Sequence, residues 1–182
     1  MRDEKTWEAR TLPKRIEELP LRIQQDLKNI KSPVDLPALN SYFIHGPVHS
    51  GKTILAVFLY LEAEKQNFIN ATYSDIRFIK ATDIIVNIKE AFSQKDVSEF
   101  TYIRELIEVD FLVIDDFGME KTSEWLLSTL HMLIDGRYEN LKTTIFTSNL
   151  SLEEIADNLG DDRIPSRIER MCKILEMKKQ YR

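Results

Sequence analysis

Tyr42-Phe43-Ile44-His45-Gly46-Pro47-Val48-His49-Ser50-Gly51-Lys52-Thr53-Ile54 is the stretch on which the reading of the fold turns. Tyr42, Phe43 and Ile44 are aromatic or β-branched and predict a strand. Gly46 to Thr53 then satisfy G-x-x-x-x-G-K-[ST] at every fixed position. A helical pattern takes over across residues 51–66, with Ile54, Leu55, Phe58, Leu59 and Leu61 expected on its buried side. A glycine-bearing turn between a strand and a helix is a phosphate cradle. The glycines allow close backbone approach, and the loop N–H groups and the helix N-terminus supply positive potential. Lys52 is placed to reach the β- and γ-phosphates and Thr53 to ligate magnesium. Nucleotide contacts are therefore expected from Gly46, Pro47, Val48, His49, Ser50, Gly51, Lys52, Thr53 and Ile54, with ATP and Mg²⁺ as the ligands. His49 fills a variable position and reads as a surface-loop side chain.

Downstream, short β-rich runs alternate with helical ones. Strands are expected at residues 76–79, 111–114, 143–147 and 173–177, and helices at 82–92, 102–108, 122–138, from Ser151, and at 165–171. Strand and helix in alternation imply an α/β fold with a parallel sheet. Phe111-Leu112-Val113-Ile114 is apolar on both faces, as in the middle of such a sheet. It delivers Asp115 and Asp116 to its C-terminal edge, where open α/β sheets bind ligands. Asp115 is the candidate magnesium holder and Asp116 the candidate to orient an attacking water. The alternative is that these acids cap the following helix. Thr143-Thr-Ile-Phe-Thr-Ser-Asn149 places Asn149 beside them, either to hold water or sense a γ-phosphate, or as a turn or cap for the segment from Ser151. In Asp161-Asp162-Arg163-Ile-Pro165-Ser-Arg167-Ile-Glu169 the two arginines stand four apart on one helical face. They would serve transition-state charge in a neighbouring subunit, or form a surface ion-pair face with Asp161, Asp162 and Glu169.

Composition narrows the class. The 182 residues suffice for one ordinary domain, and 43% apolar with 30% charged residues is a globular profile. Cys172 is the single cysteine, which excludes an internal disulfide framework and a four-thiolate metal site and fits a reducing compartment. The charged opening MRDEKTWEAR and the lack of any apolar run near ~18 residues predict a cytoplasmic protein with no membrane partner. A net charge of −5 argues against a domain built mainly as a basic nucleic-acid clamp, so any DNA contact must come from a local patch. Four of the six prolines precede residue 40, so that region is punctuated, with one helical candidate at residues 21–30.

Gly46–Thr53, Val113-Ile-Asp-Asp-Phe-Gly118, Arg137-Tyr138, Thr147-Ser-Asn149 and Asp162-Arg163-Ile-Pro-Ser-Arg167 occur in an order that resembles the AAA+ ATPases of the DnaC/DnaI helicase-loader and IstB transposition-helper group. The resemblance runs from about residue 42 to residue 182. It implies a P-loop core of five parallel strands in the order 5-1-4-3-2 flanked by helices, with no C-terminal helical lid. It divides the chain into an N-terminal extension over residues 1–40, helical and covering the adenine side, and an ATPase domain over 41–182. By this likeness Lys52 and Thr53 belong to Walker A, Asp115 and Asp116 to Walker B, Asn149 is sensor 1, and Arg167 matches the arginine-finger position. Arg163 lies one turn earlier. Arg137 resembles a family arginine expected at the subunit interface.

The function so implied is a slow, assembly-dependent ATPase of DNA replication. It would self-associate into a ring or filament on single-stranded DNA and switch a replicative helicase. Alternatives are an IstB-like regulator of a transposase, a nucleotide-gated module with little hydrolysis, or a small-molecule kinase. The acid pair beside Asn149 suits water activation better than transfer to an acceptor. Family members contact single-stranded DNA near the second and third strands, where this chain carries Arg77, Lys80, Lys89, Lys95 and Arg104 among Phe78, Phe92, Phe100 and Tyr102. The aromatics would stack on bases or belong to the core.

Overall fold

β3, Phe111–Asp115, is buried at all five positions, and the sheet is assembled around it. The computed structural model describes residues 40–70, 73, 75–93, 99–119 and 123–178. Along the chain come β1 (Tyr42–His45), α1 (Lys52–Asn70), β2 (Ile76–Lys80), α2 (Ala81–Ser93), α3 (Glu99–Glu108), β3, α4 (Glu124–Glu139), β4 (Thr143–Ser148), α5 (Leu152–Leu159), α6 (Arg163–Met171) and β5 (Lys173–Glu176). The five strands pair in the order β2-β3-β4-β1-β5, every pair parallel. This is the expected 5-1-4-3-2 sheet read from its other edge.

Alternation along the strands sorts the core into two layers. Phe111 and Val113 face α1 and pack with Tyr42, Ile44, Leu55, Leu59, Tyr60 and Ile145. Leu112 and Ile114 face the other way, into the layer formed with α2 to α6. The central strand β3 is apolar on both faces because helices cover both faces.

Several bounds differ from the sequence reading. α1 runs on to Asn70, and its buried stripe is Leu55, Ala56, Leu59, Tyr60 and Ala63, while Ile54, Phe58 and Leu61 are half-buried. α3 starts at Glu99 and not at residue 102. α6 starts at Arg163, two residues before Pro165. Proline lacks an N–H, but the first helical turn has no intrahelical acceptor for its N–H groups, so Pro165 sits there without loss. Ser123 caps α4, accepting from the Leu126 N–H, and Ser151 with Glu154 forms a reciprocal capping box at α5. The helical candidate at residues 21–30, the rest of the N-terminal extension, the adenine-side cover and Lys95 lie outside the described residues. Among the described residues no helix is long and apolar enough to cross a membrane.

Candidate nucleotide site

β1 delivers the loop of residues 46–51, and α1 begins at Lys52. Gly46 has φ +144°, and a Cβ there would stand 2.1 Å from the Met177 carbonyl oxygen. Only glycine fits. Met177 is held in that place by its N–H, which donates to the His45 carbonyl at 2.7 Å. His49 is exposed at φ +66°, as expected for a loop tip. Ser50 is buried, and its hydroxyl has no hydrogen-bond partner among the described residues. Lys52 is only 6% exposed and curls inside the loop, donating to the Gly46 and Pro47 carbonyls at 2.9 and 2.8 Å. Burial lowers its pKa, while the nearby Asp116 and Asp115 charges oppose that shift.

Asp115 ends β3 at 3% exposure, and its Oδ1 accepts from Thr53 Oγ1 at 2.9 Å and from Thr147 Oγ1 at 2.6 Å. Desolvation raises its pKa; the Thr147 bond works against that, and the Asp116 charge adds to it. Asp116, one residue beyond the strand, adopts φ +59°. Its N–H donates to Thr147 Oγ1 at 3.0 Å, and the Phe117 N–H donates to the Thr147 carbonyl at 2.8 Å. Ser148 Oγ donates to the Phe117 carbonyl and accepts from the Leu150 N–H, which fixes the bend holding Asn149. A cavity of about 370 Å³ is lined by Val48, His49, Gly51, Lys52, Thr53, Ile54, Asp116 and Asn149. The helix-capping alternatives lose their footing here, while Asn149 does sit in a bend. Helix capping falls to Ser123 and Ser151, not to the acids or to Asn149.

The set of donors suits a polyphosphate with a shared cation. Lys52 is a buried charge served by two neutral carbonyls, and the Ser50 hydroxyl is unsatisfied. Among the described residues no cluster of three or more His, Cys, Asp or Glu could hold a metal by itself. A hard cation would therefore draw on Thr53, Asp115 and phosphate oxygens together.

Thr147 is the residue that the sequence reading passed over as an individual. β4 runs beside β3 with Ile114 opposite Phe146. One step further along the ladder a threonine necessarily meets the acid, and that register was the available signal.

The two arginines of α6 stand apart from this cavity. Arg163 is exposed and binds Asp161 at 2.6 Å, and Asp161 also meets His131 Nε2 at 3.3 Å. Those bonds hold the Asp161 carboxyl well below the usual carboxylate range, the Arg163 side chain contributing most. Arg167 Nε donates to Asp135 at 2.8 Å, with its guanidinium carbon 5.1 Å from the Tyr138 ring centre. Among the described residues neither arginine forms an ion pair with Glu169 or Asp162, although the Asp162 charge also favours the charged Arg163. A second cavity, about 420 Å³, is lined by Ser128, His131, Asp135, Arg163, Ser166 and Arg167, and shares no lining residue with the first.

Arg137 corrects an expectation. Far from a subunit surface, it is 1% exposed and donates to the Leu106, Ile107, Val109 and Thr143 carbonyls and to Thr144 Oγ1. It fastens the end of α3 to the start of β4. Of the basic and aromatic residues near β2, Phe78 and Tyr102 are core, and Arg77 is held by Asp75. Phe100 is 56% exposed under the Arg104 guanidinium, and Lys80 and Lys89 are exposed.

A family described as "IstB-like ATP binding protein" matches residues 17–182. The replicative helicase loader DnaC of Escherichia coli K12 is 26% identical over 121 residues, 66% of this chain and 47% of the loader. The loader of Buchnera aphidicola subsp. Acyrthosiphon pisum is 25% identical over 122 residues, 66% of this chain and 47% of its own length. The chain thus spans about half the length of the curated relatives it matches. A crystal structure of the DnaC helicase loader superposes with TM-score 0.61 at 26% identity, covering 94% of this chain and 98% of that one. DnaI (TM-score 0.64, 20% identity, 91% and 94% covered) and AMPPCP-bound DnaA from Aquifex aeolicus (0.63, 23%, 89% and 49%) share the fold. With the match to 17–182, the P-loop and the 5-1-4-3-2 sheet in agreement, the chain belongs to the IstB-like ATP binding protein family of AAA+ ATPases.

Proposed function

We propose that this chain is a helicase-loader-like AAA+ ATPase that binds Mg-ATP in the 370 Å³ cavity, assembles with its own copies on single-stranded DNA, and switches a replicative helicase as it hydrolyses ATP. The observation that carries the nucleotide reading is Lys52: a buried ammonium bonded to two neutral carbonyls, beside the Thr53–Asp115 pair and in one cavity with Asp116 and Asn149. Phosphate oxygens are stronger acceptors for that cation than carbonyls are. The backbone of residues 46–51 and Lys52 bind the phosphates. Thr53 and Asp115 would hold magnesium, which neutralises charge on the β- and γ-phosphates when bound. Asp116 accepts a hydrogen bond from the attacking water and orients it, and Asn149 fixes its other side. Water attacks the γ-phosphorus, the bond to the β–γ bridging oxygen breaks, and ADP and phosphate leave.

Arg167 acts on the nucleotide of a neighbouring copy, with Arg163 beside it, a reading supported by its lining a different cavity from Lys52. The exposed Phe100 with Arg104, Lys80 and Lys89 is the candidate single-stranded DNA face. The helicase partner is argued from likeness to the DnaC loaders and the near-complete mutual coverage with the DnaC structure. A second reading, a transposase as partner, is favoured by the family match itself.

The test is steady-state ATP hydrolysis over a range of protein concentrations, with and without single-stranded DNA. Turnover per subunit should climb with concentration and rise further with DNA. Mixing Arg167→Ala with Asp116→Ala subunits should restore part of the turnover that each lacks alone. Flat turnover, indifferent to concentration and DNA, would overturn the composite site.

A further inference from the structure

Thr147 has no exposed surface and lines neither cavity, yet both acids of the site depend on it. Its hydroxyl has one proton, and the bonding leaves no choice of where that proton goes. A backbone N–H can only donate and an ionised carboxylate can only accept, so Oγ1 accepts from the Asp116 N–H at 3.0 Å and donates to Asp115 Oδ1 at 2.6 Å. A single buried atom thus joins the two carboxylate-bearing residues.

Asp116 also needs that support. At φ +59° it sits in the left-handed region that a residue with a Cβ disfavours. The conformation is held by two consecutive N–H groups, those of Asp116 and Phe117, both landing on Thr147, one on its hydroxyl and one on its carbonyl. That conformation decides where the Asp116 side chain leaves the backbone. Threonine is β-branched and stiff at χ1, so the hydroxyl is a fixed anchor. Thr53, the other donor to Asp115, lines the nucleotide cavity and has a second task there. Thr147 has none. The next residue extends the same seam: Ser148 Oγ donates to the Phe117 carbonyl and accepts from the N–H of Leu150, the residue after Asn149.

We propose that Thr147 is a positioning residue whose hydroxyl aims Asp116 and orients Asp115, so that it governs turnover and the magnesium-dependent part of nucleotide binding and leaves phosphate binding by the loop alone. The proposal rests on the reading of the cavity as a Mg-ATP site. It assigns to the end of β4 a task beyond presenting Asn149.

Thr147→Val keeps the branched shape and removes both hydroxyl bonds; Thr147→Ser keeps the hydroxyl. Both variants and the parent chain are compared by thermal melt, by kcat and KM for ATP, and by affinity for a fluorescent ATP analogue in Mg²⁺ and in EDTA. Thr147→Val is expected to lower kcat about 10- to 100-fold, the usual loss when a residue that orients metal-site ligands is removed. KM and the affinity in EDTA should stay within about threefold of the parent, a shift of under half of the 1.4 kcal/mol per decade scale. Thr147→Ser should recover most of kcat. A valine variant with parental kcat overturns the proposal. So does a serine variant as slow as the valine one, or equal loss of affinity in EDTA and of turnover, since those are marks of a merely structural role.

Should the parent show no turnover at any concentration, with or without DNA, the hydrolysis reading fails while the positioning proposal is still decided by binding. The affinity gained from Mg²⁺ must then shrink in Thr147→Val and persist in Thr147→Ser, and a gain unchanged in the valine variant refutes it. If Thr147→Val does not fold, Thr147→Ala is read against the same criteria.

Discussion

Lys52 and Arg137 are both buried cations, and they are served in opposite ways. Arg137 directs five hydrogen bonds at four carbonyls and a threonine hydroxyl, and all are met by its own fold. Burial pushes its pKa down to about 9, which still leaves it charged at neutral pH. Lys52 has two neutral carbonyls and three protons to place. A saturated cation is part of the scaffold. An undersupplied one, in the same loop as a Ser50 hydroxyl with no partner among the described residues, is prepared for an anion that comes from outside.

The contrast breaks first at Lys52. Lys52→Ala should abolish binding of a fluorescent ATP analogue in a titration, yet leave the melting temperature unchanged or raised, because a poorly served buried charge is gone. A collapse of the melt would mean that Lys52 is scaffold after all. The next largest effect belongs to Arg137. Arg137→Met strips the partners from buried carbonyls at the end of α3 and the start of β4, and should cost about 3 kcal/mol or more in a denaturant titration. Nucleotide affinity per folded molecule should be preserved.

The smallest effect sharpens the contrast with a third kind of charge, one paired at the surface. The Asp161 carboxyl titrates below its ordinary value of 3.8 through its bonds to Arg163 and His131. A depressed carboxylate stabilises the fold above its unfolded pKa, and that contribution fades as pH falls through and below 3.8. Asp161→Asn should therefore lower the melting temperature modestly at neutral pH and converge with the parent in acid, which flattens the acid limb. A neutral-pH melt that fell as far as that of Arg137→Met would show the pair to be far more than a surface contact.

The order of elements was legible because apolar patterning reports burial directly. Phe111 to Ile114 read as a central strand and is one, and the loop of residues 46–51 announced its chemistry by spacing alone. What stayed hidden depends on contacts between residues distant in sequence. Arg137 binds carbonyls about thirty residues upstream, and Thr147 binds acids about thirty residues upstream. Backbone carbonyls carry no residue identity, so no pattern in the chain marks them as partners, and a lone arginine in a helix reads as surface. The two α6 arginines show the converse. Their spacing was visible, but their partners are Asp161 and Asp135, and only the fold brings Asp135 of α4 within reach of Arg167.

The carbonyl of Met177 lying over Gly46 has a consequence for the order in which the molecule is made. β1 lies between β4 and β5, and both partners follow it by more than a hundred residues. A ribosome therefore releases the phosphate-binding loop before either flanking strand, and the Met177 clamp is missing until residue 177 has emerged. Contacts so distant in sequence slow folding. The residue that follows the fifth strand gives this loop its shape, so nucleotide binding can report that the whole sheet has closed.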